Sequence, residues 1–180
     1  MHPFISEVSA RLTGARTALR AAVEAVPAAA RTRRPAEDRW SVAEVLEHLS
    51  IVEGLFTQRV VTAIAEARQA GVGQERATER LPLPPDIAGV LLDRVNRRNA
   101  PEPARPRGIG PDAAWAAVER SRATLLDALA AADGLALSEV KTSHPAFGTL
   151  TVYQMVELIA GHEMRHTAQI REIADHLAPA

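Results

Sequence analysis

The sequence predicts an all-α chain folded as a four-helix bundle with one long crossover connection. Three observations lead there. Four long segments carry apolar residues at helical spacing, proline and glycine clusters separate them, and no run alternates apolar and polar residues as a half-buried strand does. At 180 residues the chain fits one domain, residues 1–180, large enough to bury a core without disulfides or a structural metal.

The first helix is expected from about Pro3 to Val26, with Phe4, Val8, Leu12, Leu19, Val23 and Val26 on one side and Pro27 as its stop. The second opens at Ser41, where "SVAE" is a capping box: the Ser41 hydroxyl accepts a first-turn amide while Glu44 reaches back. Its stripe is Val42, Val45, Leu49, Val52, Phe56 and Val60, ended by Gly71 and Gly73. Residues 74–110 hold most of the prolines and read as a long connection with one short helix around Ile87 to Val95. A link of this length is usually functional or a crossover. The third helix starts near Pro111, a favoured first-turn residue, and runs through Trp115, Val118, Leu125, Leu126 and Leu129 to Gly134. The fourth starts at Thr149 or Thr151, where "TVYQ" is a second capping box, and continues to about Leu177.

Charged residues make up 24% of the chain and the formal net charge is -1, so there is no dominant field for nucleic acid or anionic lipid. The absence of cysteine excludes thiolate zinc sites, disulfides and a cysteine nucleophile, so any thiol chemistry needs a thiol from outside. The opening residues lack the unbroken apolar run of a signal peptide, and no stretch approaches the roughly 18 apolar residues of a membrane span. The expectation is a cytoplasmic protein with a small-molecule substrate.

Chemistry concentrates in "GHEMRHTAQIREI", residues 161–173. With Met155 at zero and about 100° per residue, His162 falls at about -20° and His166 at about +20°, in the middle of the apolar stripe. Tyr153, Glu157 and Arg171 fall on the opposite side. On the second helix, with Val45 at zero, His48 comes at about -60°, at the edge of the inward face. Three imidazoles from two helices can thus enter one bundle interior, which is where such folds build metal sites. A single histidine on an apolar face is usually a core residue with a hydrogen-bond partner. Burying two or three together leaves polar groups that cost about 1 to 3 kcal/mol each if unpaired, and a divalent cation is the simplest shared partner.

His162-Glu163-Met164-Arg165-His166 also matches the H-E-x-x-H pattern of zinc peptidases. The match stops there: the metzincin extension needs glycine at 169 and histidine at 172, where this chain has Gln169 and Glu172, and the strand-bearing half that holds a peptide is missing. Glu163, at about +80°, reads as a flanking or supporting polar group, and Gln169, at about -40°, as a side chain placed to orient a ligand or a water.

The segment "RWSVAEVLEHLSIVEG" (residues 39–54) resembles the W-S-x-x-E-x-x-x-H-L stretch of the DinB/YfiT-like superfamily. "HPAFGTLTVYQMVELIAGHEMRHTAQI" (residues 144–170) resembles its H-P-x-F-G-x-L-T and H-x-x-x-H-x-x-Q-I stretches. The resemblance implies a DinB-type four-helix bundle, often a homodimer, with a three-histidine site for a divalent metal such as nickel or zinc. It places the metal on His48, His162 and His166. Relatives include S-transferases that use bacillithiol or mycothiol and a mycothiol-dependent maleylpyruvate isomerase. The expected activity is therefore a metal-dependent transferase acting on a low-molecular-weight thiol and an electrophile. A metal-dependent hydrolase and a non-catalytic stress-response metal-binding protein are the alternatives.

Other residues carry smaller expectations. Trp40 reads as packing at the start of the second helix, and His144 as a loop cap rather than part of the mouth of the site. Arg31, Arg33 and Arg34 form a basic cluster that reads as a solvated turn, with attraction of a carboxylated or phosphorylated cofactor as the alternative. His2 and His176 are assigned no role.

Overall fold

The computed structural model describes residues 1–96 and 98–177. Four long helices form the bundle: α1 (Pro3–Glu24), α2 (Val42–Gln69), α4 (Pro111–Ala131) and α5 (Val152–Leu177). A short α3 (Pro85–Leu92) lies within the crossover between α2 and α4. Helix α1 packs on α5, and α2 packs on both α4 and α5. No helix among the described residues is long and apolar enough to cross a membrane.

The helix starts follow their local chemistry. The Ser41 hydroxyl accepts the Glu44 amide at 3.3 Å, and the Glu44 carboxylate accepts the Ser41 amide at 2.8 Å, which completes the capping box of α2. Thr151 and Gln154 repeat the device at the start of α5, with bonds of 3.0 and 3.2 Å. His2, to which the sequence assigns no role, caps α1 by accepting the Phe4 amide on Nδ1 at 3.3 Å.

Two expectations are corrected here. The first is the absence of strands: β1 (Lys141–His144) and β2 (Gly148–Thr151) form an antiparallel hairpin just before α5. Each strand is four residues long and mostly polar, so no apolar alternation marks it. Gly148, at φ +72°, takes the left-handed conformation that brings the chain back. The second is the outward face of α5. Tyr153, expected opposite the buried stripe, is 0% exposed and packs edge-on against Phe4. Glu157 is also enclosed and pairs with Arg80 at 2.7 Å. The cause is cover from two sides: α1, through Phe4 and Arg11, and the crossover, through Arg80 and through Pro82, whose carbonyl accepts the Gln154 side-chain amide at 2.8 Å. Only Arg171 of the three keeps the exposed position that the helical wheel assigns it.

Further along α5, α3 approaches so closely that a Cβ on Gly161 would meet Leu91 Cδ1 at 2.7 Å. Glycine in mid-helix costs roughly 1 kcal/mol relative to alanine, and here it makes room for that contact. One turn later Arg165 reaches the carbonyl of Val90 at 3.1 Å and that of Asp93, closing the C-terminus of α3.

The bundle interior holds two apolar clusters. One includes Leu12, Val60, Leu125 and Met155, the other Leu19, Val45, Val118 and Ile170. Between them each long helix contributes one charged residue: Arg16, Glu53, Arg122 and Glu163, all at most 8% exposed. Arg16 Nε donates to Glu163 at 2.8 Å and its Nη2 to Glu53 at 3.1 Å. Arg122 Nε donates to Glu53 at 2.7 Å and its Nη2 to Glu163. The guanidinium groups also donate to helix carbonyls, Arg16 to Val118 at 2.8 Å and Arg122 to Leu12.

Such a quartet is not stabilising relative to a well-packed apolar core, but removing one member strands the others. Glu163→Ala is therefore expected to lower unfolding stability by roughly 3 to 5 kcal/mol in urea denaturation. A loss under about 1 kcal/mol would show that the network is wet and loosely held.

Candidate metal centre

Helix α2 supplies His48, and α5 supplies His162 and His166 one turn apart. The three rings meet, with centroids 5.2 Å apart for His48 and His162, 4.8 Å for His48 and His166, and 4.6 Å for His162 and His166. One ring nitrogen from each lies within 4.8 Å of the others. His48 Nε2 and His162 Nε2 are 3.4 Å apart.

The outer nitrogens decide which way the lone pairs face. His48 Nδ1 donates to the Ala104 carbonyl at 2.7 Å, and His166 Nδ1 donates to Gln169 Oε1 at 2.8 Å. An oxygen acceptor requires the proton on Nδ1, which leaves Nε2 of each ring unprotonated and directed at the other histidines. The His48 Nε2 lone pair faces His162 Nε2 at 3.4 Å, where it is met either by a proton on His162 Nε2 or by a cation shared between the rings. Two nitrogens each about 2.1 Å from a tetrahedral ion stand roughly 3.4 Å apart, so the spacing fits a divalent metal with imidazole ligands.

Electrostatics keeps the rings neutral. Burial pushes the His48 pKa below its ordinary value, offset in part by the Ala104 carbonyl. His162 is lowered to about 3, by burial first and then by His48, Arg165 and His144, although the residue as a whole is only partly buried. His166 is held well below the usual range by burial and by the two other rings, against the Gln169 bond. Neutral imidazole is the form that ligates metal.

The remaining sequence-derived residues divide clearly. Gln169 stands beside the site and orients His166. Glu163, expected on the flank as a possible support for the ligands, instead faces the arginines of the bundle waist and is 1% exposed. Trp40 packs its ring 4.9 Å from that of His48. His144 caps its turn by accepting the amides of Ala146 and Phe147 at 3.1 and 3.2 Å, its ring stacked between Phe56 and Phe147. In the basic cluster, Arg34 is paired with Glu44 and Arg31 donates to the Val26 carbonyl at 3.0 Å, consistent with a turn held by local bonds.

Residues 11–170 match the model of the DinB superfamily. The chain belongs to the DinB superfamily. Among its relatives is uncharacterized protein YuaE of Bacillus subtilis (strain 168), 28% identical over 150 residues that cover 82% of this chain and 85% of that one. The crystal structure of TT2238, a four-helix bundle protein, superposes with a TM-score of 0.58 at 20% identity, covering 93% of this chain and 98% of that one. This second likeness speaks for the bundle alone.

Sequence reasoning missed Glu47, whose carboxylate accepts three backbone amides of the crossover. It lies about 200° from Val45 on the helical wheel, on what reads as the outer face, and the crossover covers that face. The cover comes from far along the chain, so no local signal marks it.

The depressed histidine pKa values have a consequence for stability. The unfolded chain takes up protons near the ordinary value of 6.5, whereas the folded rings resist them, His162 down to about 3. Stability of the metal-free protein is thus fully present above pH 6.5 and is lost as pH falls from there toward the folded values, by up to roughly 1.4 kcal/mol per pH unit for each histidine. Urea unfolding between about pH 7.5 and 4 should show a shallower slope in His162→Leu than in the parent, and equal slopes would contradict the neutral-ring assignment.

Proposed function

We propose that this DinB superfamily protein is a metal-dependent enzyme that holds a divalent cation, nickel or zinc, on His48, His162 and His166, and that it joins a low-molecular-weight thiol, through its sulfur and with loss of the S–H proton, to an electrophile. The observation that carries this reading is the pair of Nε2 atoms 3.4 Å apart, on histidines brought together from positions 114 residues apart in the chain. A cation there supplies Lewis acidity, lowering the pKa of a thiol or water that reaches it.

The protein's own residues do the rest. Three imidazoles leave room for an exogenous group, as catalytic rather than structural sites do. The Ala104 carbonyl and Gln169 fix two of the rings in the ligating tautomer. Trp40 packs on the His48 ring, and α3 packs over Gly161 on the turn of α5 that carries His162. The chain has no cysteine, so the reacting sulfur belongs to the co-substrate, of the bacillithiol or mycothiol kind.

Protein purified without an affinity tag is expected to carry about one equivalent of nickel or zinc per chain, and His48→Ala and His166→Ala are expected to lose it. Absence of stoichiometric metal from the parent would overturn the proposal. Consumption of a thiol with a simple electrophile supports the transferase. Turnover of ester or amide substrates without thiol assigns a hydrolase instead, and silence in both assays with metal bound assigns a non-catalytic metal-binding protein.

A further inference from the structure

Glu47 and His48 are neighbours on α2, and both are tied to the same piece of the crossover. The Glu47 side chain is buried, and its carboxylate accepts the amide of Arg107 at 2.7 Å, of Gly108 at 2.8 Å and of Ile109 at 3.1 Å. Three consecutive amides converge on one carboxylate because Gly108 sits at φ +95°, in the left-handed conformation that turns successive N–H groups toward one point. Three residues upstream of Arg107, the buried Ala104 offers its carbonyl to His48 Nδ1.

We propose that Glu47 is a positioning residue for the three-histidine site: it fastens residues 107–109 to α2, and this holds the Ala104 carbonyl where it fixes the tautomer and rotation of His48. The inference rests on the metal-site reading above. The acceptor for His48 belongs to a connecting segment, not to a bundle helix, so its place depends on what anchors that segment. The anchor to α2 is a charge-assisted three-bond contact, and the 3-10 turn Glu102–Ala104 lies a few residues before it. Without the carboxylate the three amides must turn to water, the carbonyl moves with them, and His48 is free to place its proton on either nitrogen. By linkage, whatever the loop adds to cation affinity the cation returns as tighter closure of the loop.

The test compares the parent with Glu47→Gln, which keeps the shape and loses the charge, and with Glu47→Asp, which keeps the charge. Thermal unfolding confirms that each is folded. Long-range ¹H–¹⁵N correlation on the metal-free proteins reads the His48 tautomer directly: the parent should show the Nδ1–H form, Glu47→Gln a mixture of the two, and Glu47→Asp a partial return. Zinc affinity measured by competition with a chelator should fall about tenfold in Glu47→Gln. Trypsin cleavage after Arg107 should be faster in Glu47→Gln, and added zinc should slow it in the parent. An unchanged His48 tautomer with zinc affinity within twofold of the parent would overturn the proposal. If the parent itself takes up no zinc, the metal-site reading fails, while the metal-free tautomer still decides the role of Glu47.

Discussion

The structure turns on the four charged side chains at the waist of the bundle. Arg16, Glu53, Arg122 and Glu163 come one from each long helix, and every arginine bonds both carboxylates. An apolar contact tolerates sliding by an ångström or so, whereas a directional ion pair does not. The quartet therefore sets how each helix is rotated about its axis. For α5 this matters most, because Glu163 can meet the arginines only when His162 and His166 are turned toward α2 and His48. A constraint that contributes little net stability can in this way determine where the chemistry-bearing residues stand.

The site has a complementary logic. Three imidazoles share one small interior, two anchored from behind by oxygen acceptors and all held neutral by burial, with His162 and His166 pushed down further by neighbouring rings. Such an arrangement costs stability at every pH where the unfolded chain would rather be charged. Its components also come from separate parts of the chain: α2 supplies His48, α5 supplies His162, His166 and Gln169, and the crossover supplies the Ala104 carbonyl, with Trp40 packed on His48. The long crossover is thus a wall of the site, tied to α2 at Glu47 and His48 and lying over α5 at Gly161 and Arg165.

Much of this was legible in the sequence. The four long helices follow from apolar periodicity, and their starts from two capping boxes that both form. The three histidines could be brought together on paper because i and i+4 positions share a face and His48 lies on an inward edge. What escaped depended on residues distant in sequence. Tyr153 and Glu157 look exposed on a helical wheel because a wheel knows nothing of the neighbours, α1 and the crossover, that cover them. The hairpin is too short and polar to show a period. The charged waist did leave a trace: Arg16 lies between Leu12 and Leu19 at helical spacing, and Arg122 between Val118 and Leu125, so a charge interrupts each stripe at the same depth. The glutamate of H-E-x-x-H belongs to that pattern, which explains its presence without peptidase chemistry.

A cation held by three neutral imidazoles is directly visible to anomalous X-ray scattering from crystals grown with zinc. Data collected on either side of the zinc edge should give one strong peak per chain, within about 2.0 to 2.1 Å of ring nitrogens of His48, His162 and His166. A peak elsewhere, or none while the three rings keep their present positions, would contradict it.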